Sequence, residues 1–363
     1  TRSKAMIPLA NKPILEWMLE AIDSRDVIVV VRKEQKDIIE HFSGRCDFVY
    51  QDKPRGTAHA MLQAKDYISG SFLAMNVDEF ITKNDMSNLK RLNEPHIACH
   101  HSKTPQHYAT LELEKGKIKN IEEKPKSPKS NLVNAGIYVL NETIFSTINK
   151  IKPSPRGELE ITDALKLLTN ETEVMPFMLE EWQTITYPWN LLDVNAFLLE
   201  QHGSQISKNA EIRQGSVIEE PVAIGNNTII GPNCYIRKNS SIGANCRVGN
   251  AVEIKNSIIL DNSFVSHLSY VGDSIVGRNC NIAAGSIFAN LRLDEKSIGM
   301  KIDGEYVDSG HKKLGGIVGD NVKFGVNVTV MPGKRIWPNM MIPPGITVEE
   351  DIEKQPELKK RKR

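Results

Sequence analysis

The residues able to do chemistry in this 363-residue chain fall into short clusters. One runs His267-Leu268-Ser269-Tyr270-Val271-Gly272-Asp273. A neutral imidazole can take a proton from a nucleophile near physiological pH, although a histidine taken alone is more often structural. Cations lie on both sides, Arg237 and Lys255 before it and Lys296 after it. A second set is strung along the front of the chain: Lys4, Asp78, Lys124, Asn134 and Glu158. Taken singly, each reads as solvated surface. Together they are the types phosphoryl chemistry needs, positive groups to neutralise phosphate and a carboxylate to hold a metal. Cys46, Cys99, Cys234, Cys246 and Cys280 are odd in number and form no CxxC pair. That argues against structural zinc and against a disulfide framework.

These clusters need elements to hold them. From Ile206 an apolar residue recurs at every sixth position: Ile206, Ile212, Ile218, Ile224, Ile230, Ile236, Ile242, Val248 and Ile254. The register then slips, and Ile258, Phe264, Tyr270, Val276, Ile282 and Phe288 follow. After residues 291–313 it resumes at Val318, Phe324, Val330, Ile336, Ile342 and Val348. A six-residue period fits neither a helix nor an alternating strand. It predicts a parallel β-helix, with three hexads to a triangular coil and the repeated residue pointing into the shaft. Gly225, Gly231, Gly243, Gly249, Gly277, Gly319 and Gly325 each follow an inward residue, so a tight corner of positive φ is expected at each.

The front of the chain has a different pattern. Helical spacing covers 14–22 and 58–64, β-branched or apolar runs mark strands at 27–31 and 71–76, and 108–113 alternates like a strand. Helices alternating with buried strands predict a parallel α/β sheet covered on both faces. A helix over 188–201 ends at a linker, His202-Gly203-Ser204. Three regions result: an α/β domain at 1–202, a β-helix at 203–350 and a tail at 351–363. The Lys/Arg run at 359–363 reads as a solvated end. A net charge of +1 and a pI near 7.6 give no field for nucleic acid or membrane. With no signal-like segment and no long apolar run, a cytoplasmic enzyme is expected.

Six motifs in residues 1–190 resemble, in order, those of the sugar-1-phosphate nucleotidylyltransferases. They are Thr1-Arg2-Ser3-Lys4 with Lys12-Pro13, Gly56-Thr57-Ala58, Asn76-Val77-Asp78, Glu122-Glu123-Lys124-Pro125, Asn134-Ala135-Gly136-Ile137-Tyr138 and Gly157-Glu158-Leu159-Glu160-Ile161-Thr162-Asp163. The resemblance implies that Lys4 contacts phosphates, Gly56 and Thr57 hold the base, and Asp78 ligates Mg²⁺. It also implies that Lys124, Asn134 and Glu158 hold the sugar phosphate. Three departures accompany it. The family's opening strand and glycine-rich loop are not in this sequence, Val77 stands where the family has glycine, and Thr184 stands where a second metal carboxylate is expected. An impaired nucleotidyl site is the expectation.

The back half resembles the bifunctional enzymes that join a nucleotidylyltransferase to an amino-sugar-1-phosphate N-acetyltransferase. The likeness rests on residues 267–273, on Asn281-Ile282-Ala283-Ala284-Gly285-Ser286-Ile287 and on Asn290 with Lys296. It implies an α/β Rossmann-like nucleotidyltransferase domain, its N-terminal strand and glycine-rich loop missing, followed by a left-handed parallel β-helix of hexapeptide repeats. His267 is then the base that deprotonates the sugar amine. Arg237, Lys255 and Lys296 bind the sugar phosphate with help from Tyr270 and Asn290, while Ala284, Gly285 and Ser309 contact acetyl-CoA. The substrates implied are a sugar 1-phosphate, a nucleoside triphosphate (UTP or dTTP) and acetyl-CoA, in a homotrimer. His311, Lys312 and Lys313 read equally as CoA-phosphate contacts or as a basic loop. A thymidylyltransferase with a β-helix tail, or a regulatory subunit like those of translation-initiation exchange factors, fits the two-domain layout but leaves His267 unused.

Overall fold

The structure, a computed structural model, describes residues 2–93 and 95–356; Thr1 and the basic run at 359–363 lie outside them. It divides into two compact units, Thr1–Ile7 with Pro13–Thr184, and Pro8–Lys12 with Ile185–Arg363.

In the first unit the helices Ile14–Ile22 and Thr57–Gln63 and the strands Ile28–Val31, Phe72–Met75 and Thr110–Glu114 form where the spacing predicts them. Parallel pairing is seen between Ile28–Val31 and Asp47–Tyr50. The larger, six-stranded sheet is mixed rather than all parallel, because Leu132–Leu140 pairs antiparallel with three neighbours. All nine residues of Leu132–Leu140 are buried, so its apolar run packs on both faces as a central strand should. Its ladder to His96–His101 breaks between Asn134 and Tyr138. Gly136 sits in that break at φ +69, a conformation that glycine adopts without steric cost. The short pair Glu79–Ile81 and Trp182–Thr184 lies outside this sheet.

The second unit carries the repeat. Three all-parallel sheets of seven strands each form the faces of a left-handed β-helix. The shaft rows are fixed by register, for example Ile224, Ile242, Ile259, Val276, Val318 and Ile336 on successive coils. Two expectations are corrected here. The inward residues after Ile254 are Ile259, Val265 and Val271, all about 0–1% exposed, not Ile258, Phe264 and Tyr270. Phe264 pairs with Arg247 and Tyr270 with Glu253 on the outward rows. One apparent slip is therefore two repeat units of five residues, 254–258 and 271–275. Both shorten the same corner on consecutive coils, and on the next coil that corner carries the 291–313 insertion.

The glycines are the second correction. Of the seven, only Gly231 has positive φ. The left-handed corner residue comes two places later and is usually asparagine, as at Asn227, Asn233, Asn245, Asn279, Asn321 and Asn327. Asparagine tolerates that region better than other side chains do. The glycines serve close approach instead: a Cβ on Gly225 would lie 2.5 Å from the backbone of Gly243 and Ala244 on the next coil. Ile206 and Ile212 hold the shaft register but are 37% and 42% exposed, since they belong to the first coil and have a neighbour on one side only.

Within this unit Asn195 of the helix Asn190–His202 is fully buried. Its Oδ1 accepts from the Ala10 N–H (2.8 Å) and the Ser241 hydroxyl (2.7 Å), and its Nδ2 donates to the Asn239 carbonyl (2.9 Å). One amide thus fastens both the helix and the 8–12 hairpin to the coils. Among the described residues no helix is long and apolar enough to cross a membrane.

Candidate functional site

Of the front motifs, those of Lys4 and Gly136 meet the segment of Asp78. Lys4 begins a short 3₁₀ turn, Lys4–Met6, whose entry is fixed by Ser3 donating its N–H and hydroxyl to Asp37. The Lys4 ammonium pairs with Asp78 Oδ2 at 2.5 Å. Val77 is not among the positive-φ residues, so its side chain does not strain the turn that presents Asp78. Beside Asp78 lies a carboxyl the sequence reading missed. Glu79 is 7% exposed and accepts from Trp182 Nε1 at 2.8 Å. Burial, then the charge of Asp78, pushes its pKa up to about 8, while hydrogen bonds from Trp182, Thr184 and Asn76 work against the rise.

Two more motifs are knitted together by backbone. Gly56 has φ +102, and a Cβ there would lie 2.4 Å from the Leu159 carbonyl oxygen. The contact is used: Leu159 N–H donates to the Arg55 carbonyl (2.7 Å) and Ala58 N–H to the Leu159 carbonyl (2.9 Å). The Thr57 hydroxyl accepts from the Ile161 N–H at 3.0 Å, satisfying one of the unpaired donors at the start of the helix Ile161–Glu171. Lys124 and Asn134 donate their N–H groups to the adjacent Tyr108 and Ala109 carbonyls. The Asn134 side chain is engaged with the Tyr138 hydroxyl and the Gly136 N–H, both at 2.9 Å. Glu158 is half-buried on its loop. Arg156, also missed, bridges Glu160 (2.9 Å) and Glu123 (3.4 Å), and so ties the loop of Glu158 to that of Lys124.

The donor set around Asp78 suits a hard cation. Its oxygens come from carboxylates and a hydroxyl, the type Mg²⁺ takes, and Mg²⁺ commonly uses only one or two carboxylates beside substrate phosphates. Gly136 lets these side chains pack close, since a Cβ there would meet Asn76 Nδ2 at 2.4 Å and Glu79 Oε1 at 3.0 Å. Among the described residues no group of three or more His, Cys, Asp or Glu is placed to hold a metal ion.

In the β-helix Arg237, Lys255 and Tyr270 lie on or beside one face. Its strands Tyr235–Ile236, Glu253–Lys255 and Tyr270–Gly272 stack in register. Asp273, at the shortened corner with φ +48, is the hub. Its carboxylate accepts from Lys255 Nζ (2.9 Å), Asn256 Nδ2 (2.9 Å) and Asn290 Nδ2 (2.5 Å). Asn290 also donates to the Tyr270 hydroxyl at 3.0 Å. Burial is the main reason the Tyr270 phenol titrates above its usual range. Two coils away Arg237 stands against Glu253 (3.3 Å) and Glu219 (3.7 Å), with its guanidinium 5.6 Å from the Tyr235 ring centroid. Glu219, Glu253 and Asn256 were not anticipated. The triplet Glu253-Ile254-Lys255, out, in and out on a strand, was the available signal.

His267 is at the opposite edge of that face, exposed, and it does not touch the Asp273 network. Its Nδ1 lies over Gly249, where a Cβ would be 3.3 Å away. Gly285, beneath it on the next coil, donates its N–H to the His267 carbonyl at 3.0 Å, and the neighbouring Ala284 carbonyl accepts from Asn327. Lys296 is exposed on the insertion loop, its backbone N–H donating to Asp294 at 3.3 Å. The Ser309 hydroxyl is committed to the hairpin Ile298–Ile302/Glu305–His311, donating to the Ile298 carbonyl and accepting from the His311 N–H. His311 Nε2 pairs with Asp193 at 3.3 Å; that hydrogen bond lifts its pKa against the opposing effect of burial.

Residues 1–201 match the Nucleotidyl transferase family, and residues 218–352 match the GMPPB C-terminal domain. A bifunctional protein GlmU of Methanocaldococcus jannaschii is 37% identical over 97% of this chain and 91% of its own length. Another, from Methanococcus maripaludis, is 40% identical over 97% and 91%. A bifunctional sugar-1-phosphate nucleotidylyltransferase/acetyltransferase of Sulfurisphaera tokodaii is 37% identical over 97% and 93%. With its front half matching the family directly and almost its whole length matching these two-part relatives, the chain belongs to the Nucleotidyl transferase family, in its bifunctional, β-helix-bearing form.

Proposed function

We propose that this chain is a bifunctional transferase of sugar-nucleotide biosynthesis. One half moves an acetyl group from acetyl-CoA to the amine of an amino-sugar 1-phosphate, and the other moves a nucleotidyl group from UTP or dTTP to a sugar 1-phosphate. The observation that carries this reading is the gathering of Lys255, Tyr270 and Asn290 around Asp273 where the coils are short. The front half adds Lys4 on Asp78.

His267 takes the ammonium-derived proton as the amine attacks the thioester carbonyl, and CoA leaves as thiol. Its exposure and its lack of a polar partner among the described residues leave the imidazole open to solvent and substrate. Arg237 and Lys255 offer cations to the sugar phosphate, each now neutralised by a carboxylate that phosphate must displace or share. Ala284, Gly285 and Ser309 are proposed to face acetyl-CoA, and Lys296 to close over the sugar when its loop moves inward. A homotrimer is proposed, as the family resemblance implies, working in the cytoplasm. Nucleic acid and membrane are not among its proposed partners.

In the nucleotidyl half Lys4 would leave Asp78 for the phosphates, Gly56 and Thr57 would hold the base, and Lys124, Asn134 and Glu158 the sugar phosphate. A bound Mg²⁺, held by Asp78, would neutralise charge on the phosphoryl oxygens. Two assays test the halves separately. Free CoA should appear with glucosamine 1-phosphate, and pyrophosphate should appear with UTP and N-acetylglucosamine 1-phosphate. No CoA release from any amino-sugar 1-phosphate would overturn the first half; no pyrophosphate from UTP or dTTP would overturn the second.

A further inference from the structure

The metal site implied for the front half has one obvious weakness, the neutral Thr184. The sheet register shows what stands opposite it. In the pair Glu79–Ile81 and Trp182–Thr184, Thr184 is the direct cross-strand partner of Glu79. Directly paired residues point to the same side of a ladder, with Cβ atoms about 5 Å apart. A glutamate is one methylene longer than an aspartate. Its carboxylate at 79 therefore reaches the space that an aspartate at 184 would have filled. The hydrogen bonds agree, because Thr184 and Asn76 lie against the Glu79 carboxylate while Trp182 Nε1 holds Oε2 at 2.8 Å. Oε1 packs over Gly136, where a Cβ would lie 3.0 Å from it.

Charge supports the same assignment. Glu79 is 7% exposed and adjoins Asp78, and no Lys, Arg or His among the described residues pairs with it. A buried carboxylate beside another carboxylate is costly unless a cation joins them. Asp78 already holds a cation, the Lys4 ammonium.

We propose that Glu79 is the second carboxylate for the divalent cation of the nucleotidyl half, moved across the strand pair from position 184. The proposal rests on the nucleotidyl reading above for its substrate, not for its geometry.

The test is Mn²⁺ binding to the full chain with UTP present, free Mn²⁺ being read by its electron paramagnetic resonance signal. Glu79→Gln keeps an acceptor for Trp182 and should weaken Mn²⁺ binding at least about tenfold. Adding Thr184→Asp to that variant should restore most of the loss. Thr184→Asp alone should not tighten binding, because the site already has its second carboxylate. Equal binding by wild type and Glu79→Gln overturns the proposal, as does clear tightening by Thr184→Asp alone or the absence of saturable binding to wild type. If Glu79→Gln does not fold, the Thr184→Asp single variant still decides. Pyrophosphate release by wild type is read in parallel. Release with Mn²⁺ binding indifferent to Glu79 removes this inference and keeps the function; Mn²⁺ binding that depends on Glu79 without release does the reverse.

Discussion

Around Asp78 the contributing side chains are Lys4, Asn76, Glu79, Trp182 and Thr184, brought together across most of the front unit by a mixed sheet and its side pairs. Around Asp273 they are Lys255, Asn256, Tyr270 and Asn290, which come from one corner and face of three successive coils. The first site depends on pairings far apart in sequence, so any one residue's partner is hidden until the strands are aligned. The second depends on a period, and a defect in a period is visible directly. Two five-residue repeat units and one insertion stack on a single corner, and that corner carries the polar network. A β-helix coil contacts only its neighbours, so a local shortening can build a site there without disturbing coils further away.

The largest expected effect tests chemistry. His267→Ala should lower the turnover of acetyl transfer by about 10²–10⁴-fold, the usual contribution of a general base, and leave pyrophosphate release from UTP unchanged. Release of CoA thiol measures the first and a coupled pyrophosphate assay the second. Equal loss in both would mean a folding defect, and no loss would remove His267 from the mechanism.

Asp273→Asn tests the corner itself. The Lys255 and Asp273 side chains are 18% and 6% exposed, so removing one charge leaves the other largely buried and unpaired. Breaking such a pair typically costs about 3–5 kcal/mol. A fall in the urea midpoint of the β-helix is expected, along with a raised KM for the amino-sugar phosphate. Removing the exposed Arg237–Glu253 pair by Glu253→Gln should shift the midpoint far less.

In the front unit Gly56→Ala should disturb long-range assembly. The added Cβ would press on the Leu159 backbone at 2.4 Å, at a φ of +102. A cost of about 2–3 kcal/mol is expected from strain and displacement together, with loss of nucleotidyl transfer and acetyl transfer retained. Loss of both activities would contradict the independence of the two assemblies.

The unequal legibility of the two halves follows from these geometries. The six-residue period gave architecture and faces, yet it misassigned Phe264 and Tyr270 to the shaft. A four-residue step to Ile258 and a five-residue step to Ile259 look alike when both are isoleucine, and only pairing with Ser241 and Ile242 separates them. Tyr270 is outward, where its hydroxyl reaches Asn290. The glycines were conspicuous, but the asparagines two places on carried the positive φ. Glu79 and Arg156 had no local signal, because their meaning comes from Thr184 across a ladder and from Glu123 on another loop.

Leu268 breaks the asparagine rule. It takes the left-handed corner at φ +54 with its side chain 66% exposed, next to His267. A leucine held there costs roughly 1–2 kcal/mol relative to residues that favour the region. Leu268→Asn should therefore stabilise the β-helix by about 1 kcal/mol, read as a higher melting temperature. If the leucine is retained for the site, acetyl transfer should fall in the same variant; a stabler and equally active variant would mean that the exposed side chain has no part in the reaction.

The smallest effect concerns how the insertion is tied down. His311 at the end of the hairpin pairs with Asp193 on the helix Asn190–His202, and Asp193, Asp273 and Asp308 all act to keep its imidazole protonated. Its folded pKa is raised above the ordinary 6.5. The sign follows: the stabilisation is fully present below the unfolded pKa near 6.5 and is lost as pH rises through the higher folded value. Both side chains are about a third exposed, so solvent screening holds the contribution below about 1 kcal/mol. Asp193→Asn should flatten the fall in stability as pH rises above 6.5 and change little once the imidazole is neutral in wild type as well. Hydrogen exchange confined to residues 298–311 reads this more sharply than global unfolding, since the antiparallel hairpin can open without unstacking a coil. Exchange that accelerates with pH in wild type beyond its intrinsic rise, but not in Asp193→Asn, would show that the tie is electrostatic; parallel profiles would leave Ser309 and the Leu291–Lys313 bridge as what closes the hairpin.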